Sequence, residues 1–187
     1  MIDHAIPVLE TPRLILRGHR REDFEAMVAM WQDPVVTHHF SVPTFSREDI
    51  WGRLQRNFGM WALSGYGMWA VEDKARGAYA GVAGVFDVKR ELVPPLPDGM
   101  PEAGWVFAQR FHGKGYATEA MAAALQWVDV ALKGPAIFAI VAPANTASIR
   151  VAQKCGFAPW YVSDYHGHPT AVLQRASQAS GAPFTTA

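Results

Sequence analysis

Hydrophobic residues recur along the chain with two spacings, every second residue in some segments and every third or fourth in others. The first spacing is typical of strands with one buried face, and the second of helices with one buried face. Strands are predicted at residues 13–18, 66–73, 79–88, 102–108, 136–142, 157–165 and 169–176. Helices are predicted at residues 21–33, 45–65, 116–132 and 145–155.

The order of these elements is strand, two helices, three strands, helix, strand, helix and two strands. That order predicts an α/β fold with one mixed sheet and helices on its faces. Residues 89–101 contain four prolines and show no periodicity, so they are predicted to form an exposed connection. We expect one domain over residues 1–187, with its core at about 10–175 and a frayed tail after Ser177.

Composition narrows the classes of partner. Half of the 187 residues are hydrophobic, and 17 basic residues balance 17 acidic ones. A neutral chain has no overall field that attracts nucleic acid or an anionic membrane. The single cysteine, Cys155, excludes an internal disulfide, and no segment resembles a signal peptide or a membrane helix. We therefore predict a cytoplasmic protein that binds neither nucleic acid nor membrane.

A glycine-containing loop joins a predicted strand to a predicted helix around residues 108–116. The first-turn amides of a helix have no partner within it, and they lie at the positive end of the helix dipole. A phosphate fits such a site, and Gly113 and Gly115 would let the backbone approach it closely. Arg110 and Lys114 add positive charge. The loop is predicted to bind a pyrophosphate; the alternative is a plain turn that caps the helix.

Two common phosphate-binding motifs do not fit this loop. A P-loop requires Ser or Thr after its lysine, whereas Lys114 is followed by Gly115. A dinucleotide fingerprint requires a third glycine, and this chain has Thr118 there. A second strand-loop-helix unit follows at residues 136–155, with Asn145 placed to cap its helix. Two such units in this order favour a ligand site over a plain turn.

The chain resembles the GCN5-related N-acetyltransferases (GNAT), and within them the Rim-type branch that includes ribosomal-protein N-terminal acetyltransferases. The resemblance spans nearly the whole chain. It is carried by ETPRLILR at residues 10–17, RFHGKGYATEA at residues 110–120 and NTASIRVAQKCGF at residues 145–157. The middle segment matches the family pattern Arg/Gln-x-x-Gly-x-Gly/Ala.

This resemblance implies a mixed, mostly antiparallel sheet that splays between its fourth and fifth strands, with helices on both faces. Acetyl-CoA would lie in the split as co-substrate and acetylate an amine acceptor. The pantetheine arm would follow Val106, Phe107 and Ala108. The other residues implied in CoA binding are Arg110, Gly113, Lys114, Gly115, Tyr116, Ala117, Asn145 and Ser148. The family also suggests a homodimer.

The catalytic groups are less clearly marked. Many family members have a Tyr that protonates the departing thiolate, but this chain has Ala152 at that position. In the Rim-type branch a Ser three residues after the Asn is thought to serve, which implies Ser148; the alternative is a hydroxyl bonded to its own helix. Glu102 is the candidate general base, or else an exposed charge at a strand end. His38 and His39 are the alternative bases.

The expected reaction is direct attack of the amine on the thioester, because Cys155 lies at a helix end suited to packing. At pH 7 a lysine-like amine costs roughly 4 to 5 kcal/mol to neutralise, and an α-amine only ~1. Both peptide α-amines and small amines stay open as acceptors. The residues expected near the acceptor are Trp31, Phe40, Trp160 and Tyr161.

No metal site is expected, since His166 and His168 have no third ligand at suitable spacing. Two other functions stay open. One is a non-catalytic CoA-binding module, and the other is a nucleotide-binding regulator.

Overall fold

The computed structural model describes residues 6–40 and 44–178. Within this part of the chain, eight strands form one sheet. The strands are β1 (Leu9–Glu10), β2 (Leu14–Arg17), β3 (Met68–Asp73), β4 (Ala78–Phe86), β5 (Glu102–Phe107), β6 (Ile137–Val141), β7 (Ala158–Tyr165) and β8 (His168–Arg175). The helices are α1 (Phe24–Trp31), α2 (Pro34–Thr37), α3 (Arg47–Ser64), α4 (Tyr116–Ala131) and α5 (Thr146–Lys154).

The sheet has the strand order β1-β2-β3-β4-β5-β6-β8-β7. All neighbours are antiparallel except β5 and β6, which are parallel and share the single register pair Glu102 and Phe138. Beyond that pair the two strands diverge. The predicted mixed, mostly antiparallel sheet with a split between the strands at 102–108 and 136–142 is confirmed.

Helices cover both faces of this sheet, as β3 shows. Trp69 and Val71 belong to the hydrophobic cluster that includes α4. Met68 and Ala70, which alternate with them, pack in the cluster that includes α1 and the first half of α3. All four side chains are buried. The period-two alternation of strand side chains therefore supplies two cores from one strand.

The first turn of α3 is stabilised by a capping box. Ser46 accepts a hydrogen bond from the Asp49 backbone N–H at 3.1 Å, and Asp49 accepts one from the Ser46 N–H at 2.9 Å. This reciprocal capping box satisfies amides that the helix leaves unpaired. The helix ends before Gly65, whose φ of 74° is left-handed.

Three features differ from the sequence-based expectations. The strand β1 and the helix α2 are too short for a periodic pattern to predict. The connection at 89–101 was wrongly expected to be exposed throughout, because Leu92 is 3% exposed and packs with Phe138 and Val172. Its irregular backbone was correctly predicted. The expected tail lies beyond residue 178, outside the described residues.

Candidate active site

A cleft of about 1350 Å³ opens where β5 and β6 diverge. Its wall combines β5, the glycine loop, and the first turns of α4 and α5 with parts of α2 and α3. The predicted site residues that line it are Glu102, Val106, Phe107, Gly113, Gly115, Tyr116, Ala117, Asn145 and Ser148, with His38 and His39. Arg110 and Lys114 instead line a smaller neighbouring pocket. The fold thus brings most of the predicted residues to one cleft.

The glycine loop presents an uncapped helix start to this cleft. Gly113 and Gly115 have φ values of 71° and 77°, a left-handed conformation that other residues rarely adopt. Gly115 is the N-cap of α4, and no side chain caps this helix. The first helical bond runs from the Glu119 N–H to the Gly115 carbonyl at 3.0 Å. The first-turn amides before Glu119 therefore have no acceptor within the helix, which suits an anion.

Arg13, which immediately precedes β2, contacts the glycine loop through its side chain. Its Nη1 donates to the Lys114 carbonyl at 2.8 Å, and its guanidinium lies 4.5 Å from the Tyr116 ring centroid. It also forms an ion pair with Glu119 at 2.6 Å. The sequence carries no local signal for this role, because the contacts join residues about a hundred positions apart.

A positively charged pocket of about 330 Å³ adjoins the loop. Its charged side chains are Arg13, Arg76, Arg110 and Lys114. Arg110 donates to the Tyr79 carbonyl at 3.1 Å, and Lys114 to the Arg110 carbonyl at 2.7 Å. The charge expected at the rim of the loop is present, and it lies beside the main cleft.

Backbone groups of β5 face alternately toward β4 and toward the split. The Ala108 N–H donates to the Ala80 carbonyl of β4 at 2.9 Å. On the other side, the Pro101 carbonyl accepts from the Phe138 N–H at 3.1 Å. Since strand backbone groups alternate in direction, those of Trp105 and Phe107 point toward the split.

The expected path of the pantetheine arm along Val106, Phe107 and Ala108 stays a prediction, but not every backbone group on this path faces the split. The Ala108 N–H is already used by β4, and the backbone of Val106 points the same way. The side chains of Val106 and Phe107 still line the cleft. His112 Nε2 donates to the Phe107 carbonyl at 2.7 Å, so the His112 side chain lies at the end of β5.

The start of α5 is capped by a side chain. Asn145 Oδ1 accepts from the Ser148 backbone N–H at 3.0 Å. The Ser148 side chain is half-buried on the cleft wall, and no residue of the described ranges accepts a hydrogen bond from its hydroxyl. A hydroxyl bonded to its own helix, the alternative to a catalytic role, is therefore not what the structure shows. Ala152 is fully buried and has no ionisable group, so this position cannot supply an acid to the cleft.

Glu102 is a buried, paired carboxylate. It is 3% exposed and accepts from Arg90 Nε at 2.6 Å and Nη2 at 2.9 Å. Arg90 Nη1 also donates to the Tyr165 hydroxyl at 2.8 Å. Burial raises the pKa of Glu102, and Arg90 opposes that rise. The alternative of an exposed strand-end charge is wrong, because the connection that carries Arg90 folds over the strand.

The other candidate side chains divide between the cleft and the rest of the surface. His38 and His39 line the cleft with ring centroids 3.7 Å apart. Burial and the neighbouring His38 lower the pKa of His39. Trp31 and Phe40 lie in the same wall.

Two aromatic residues expected near the acceptor lie elsewhere. Trp160 and Tyr161, on the outer strand β7, are not among the described residues that line the cleft. Cys155 is also outside that lining, and burial raises its pKa to about 11. A thiol with so high a pKa is a poor nucleophile at neutral pH.

The acetyltransferase (GNAT) domain profile matches residues 13–158. The chain belongs to the GNAT family.

Individual relatives agree with this assignment. YkkB of Bacillus subtilis (strain 168) is 31% identical over 172 residues, which cover 90% of this chain and 95% of that protein. A GnaT-family acetyltransferase from Bordetella pertussis superimposes with a TM-score of 0.79 at 28% identity, over 91% and 99% of the two chains.

The same fold occurs in RimL, a ribosomal L7/L12 α-N-protein acetyltransferase solved with CoA. Its TM-score is 0.74 at 17% identity, over 92% of this chain and 99% of RimL. The family predicted from the residues is therefore confirmed, and the fold is one that Rim-type enzymes share.

Across residues 6–40 and 44–178, no cluster of three or more His, Cys, Asp or Glu is placed to hold a metal ion. None of the helices within those ranges is long and apolar enough to cross a membrane.

Proposed function

We propose that this GNAT protein transfers an acetyl group from acetyl-CoA to a primary amine by direct attack in a ternary complex. The observation that carries the proposal is the uncapped start of α4 at the head of the split between β5 and β6. A pyrophosphate placed there accepts hydrogen bonds from the first-turn amides. The neighbouring pocket with Arg13, Arg76 and Arg110 suits the remaining phosphate of CoA.

The split itself suits the rest of the donor. An extended pantetheine arm along β5 would meet the backbone groups of Trp105 and Phe107 that face the split. An N–H in this position can also polarise the thioester carbonyl without any special side chain. Asn145 and Ser148 line the opposite wall, within the same cleft.

The chemistry needs a neutral amine and a proton for the leaving group. The amine nitrogen bonds to the thioester carbon, the C–S bond breaks, and the thiolate takes up a proton. We assign Ser148 as the proton donor, because the residue lines the cleft and its hydroxyl donates no hydrogen bond within the described ranges. We assign Glu102 as the acceptor of the amine proton, since burial raises its pKa toward that of an effective base. His39, whose lowered pKa keeps it neutral at pH 7, is the second candidate base.

The free energy needed to deprotonate the acceptor amine favours an α-amine. Neutralising one at pH 7 costs only ~1 kcal/mol, against roughly 4 to 5 for a lysine-like amine. A peptide N-terminus meets this condition, as does a small α-amine without a free α-carboxylate; in a free amino acid the α-carboxylate raises the pKa of the amine, so neutralising it costs more. A cytoplasmic location and a homodimer stay predictions.

Thiol release from acetyl-CoA tests the proposal. The purified protein is assayed with peptides of varied N-termini, amino acids, polyamines and aminoglycosides, with heat-denatured protein as the control. We expect release that requires an acceptor amine. Tight CoA binding by calorimetry without release across the panel would instead identify a non-catalytic CoA-binding module. Protection against unfolding by ATP or NAD, and not by CoA, would point to the nucleotide-binding regulator.

A further inference from the structure

The cleft carries more positive than negative charge. Among the described residues that line the cleft, the cations are Arg53, Arg56, Arg90, Arg150 and Lys154, and the one carboxylate is Glu102. That carboxylate is already paired with Arg90 in a bidentate arrangement. A polycationic acceptor would therefore meet like charges and no unpaired carboxylate.

Arg53 is the unusual member of this group. Its guanidinium lies 4.3 Å from the ring centroids of both Trp31 and Phe45, which hold it in place on α3. No residue in the described part of the chain accepts a hydrogen bond from it or forms an ion pair with it within 4.0 Å. The side chain is nonetheless half-buried. Its guanidinium donors are therefore partly desolvated without an anion to bind.

Other arginines of the protein have carboxylate partners of the kind that Arg53 lacks. Arg17 pairs with Asp23 and Glu72, and Arg175 pairs with Asp129. Burial and the like charges of Arg56 and Arg90 lower the pKa of Arg53 to about 10, although Asp49, one turn earlier on α3, partly opposes the shift, so Arg53 stays protonated at neutral pH. A half-buried guanidinium among other cations is a strong site for a carboxylate, which it can bind through two parallel hydrogen bonds.

We propose that Arg53, assisted by Arg56, binds a carboxylate of the acceptor, so that the acceptor is an amine that also carries a carboxylate. This inference rests on the proposed acetyltransferase function. Trp31 and Phe40 supply an apolar wall beside the charged group. Two sources offer this chemistry: a free amino acid, and a peptide with an acidic residue near its N-terminus.

Matched acceptors test the inference on the wild-type protein. Thiol release is measured with leucine against leucinamide, phenylalanine against phenylalaninamide, and peptides that differ by Asp or Asn at the second residue. The free α-carboxylate raises the pKa of the neighbouring amine, so intrinsic reactivity favours the amides. We expect a kcat/KM about 10 to 100 times higher for the carboxylate member of a pair, expressed mainly in KM. A preference within the amino-acid pairs or within the peptide pairs identifies the source.

Variants of α3 then locate the effect. Arg53→Gln should lower kcat/KM for the carboxylate acceptor about 10 to 100 times while leaving the amide unchanged, and Arg53→Lys should restore part of the loss. Arg47→Gln is the matched control, since Arg47 lies on the same helix, pairs with Glu25 and is absent from the cleft lining. An unchanged CoA affinity by calorimetry shows that the fold and the donor site are intact.

Three results would contradict this inference, and they can be distinguished from one another. Turnover of amides and polyamines in preference to carboxylate acceptors would overturn this inference and leave the acetyltransferase function standing. Equal losses for both members of a pair in Arg53→Gln would also overturn it. No turnover with any acceptor would overturn the proposed function and this inference together.

Discussion

The two ends of the cleft are built from different parts of the chain. At the donor end, the groups that face the ligand are backbone amides at the start of α4, fixed by the left-handed φ of Gly115. At the acceptor end they are side chains from separate segments, such as Arg53 on α3 and Arg90 on the connection before β5. The first arrangement follows from a short stretch of sequence, whereas the second needs the whole fold. We therefore expect the donor site to be general to the fold and the acceptor site to be particular to this chain.

The helices α4 and α5 differ in whether a side chain caps their first turn. Both begin at the split, but Asn145 caps α5 through the Ser148 N–H at 3.0 Å. No side chain caps α4, whose N-cap is Gly115. An anion is thus expected at α4, because its amides have no other acceptor.

The largest expected effect comes from a charge placed in the loop. Gly115→Asp should weaken CoA binding by at least about 100 times, because a carboxylate opposes the phosphates and competes for the amides. A Cβ at this position lies 3.5 Å from Arg13 Nη2, so the new carboxylate can also pair with Arg13. The affinity is measured by titration calorimetry.

Gly115→Asn is the matched variant, because it has the same shape without the charge and both residues tolerate a positive φ. Gly99→Asp, at a φ of 76° in open space, controls for backbone strain. Affinity that survives Gly115→Asp would contradict the assignment of the loop.

The next effect concerns the proposed base. Glu102→Gln should lower kcat about 100 times or more, as the loss of a general base does. Glu102 accepts a proton only as a carboxylate, so the rate should rise with pH through its pKa, which burial raises. The pH profile of kcat/KM contains this limb together with the limb of the acceptor amine, and only the limb of the amine should remain in Glu102→Gln.

Asp129→Asn is the control, because Asp129 is a carboxylate paired with Arg175 outside the cleft lining. If Glu102→Gln keeps the enzyme's limb as well as that of the amine, His39 is the base instead.

A moderate effect is expected at the cap of α5. Asn145→Ala should reduce the free energy of unfolding by about 1 kcal/mol, the usual effect of losing an N-cap. Asn145→Asp should restore this stability, since a carboxylate caps equally well. Urea denaturation measures the cap, and CoA titration measures the ligand contact. If Asn145 also contacts CoA, the affinity should stay reduced in both variants.

The smallest effect is expected at Cys155. Because its pKa is about 11, roughly a thousandth of the thiol is ionised at pH 8. Iodoacetamide should label it slowly in the folded protein and quickly in urea. Cys155→Ala should keep kcat within about 2-fold, since direct attack needs no thiol. A large loss of kcat with an intact fold would favour a covalent acyl-enzyme.

Local sequence patterns predicted the loop and the helix start at the proposed donor end, while the binding of CoA there stays a prediction. The glycines of the loop act through the neighbouring backbone, so a few consecutive residues determine their geometry. The split followed from a family resemblance carried by the segments at residues 10–17, 110–120 and 145–157. What the pattern missed at this end is Arg13, which reaches the loop from a distant strand.

The acceptor end could not be predicted to the same extent. Glu102 was identified as a candidate, but its partner Arg90 lies in a segment expected to be exposed. The isolation of Arg53 is a property of everything packed around α3, including Trp31 and Phe45. The lack of a partner for Arg53 cannot be recognised in the sequence, because a carboxylate from any segment that packs near α3 could have supplied one.

Initial-rate kinetics with acetyl-CoA and an acceptor varied together test the central claim most directly. Transfer within a ternary complex predicts intersecting double-reciprocal lines and no thiol release without acceptor. Parallel lines, or release of CoA with acetylation of the protein when no acceptor is present, would contradict it.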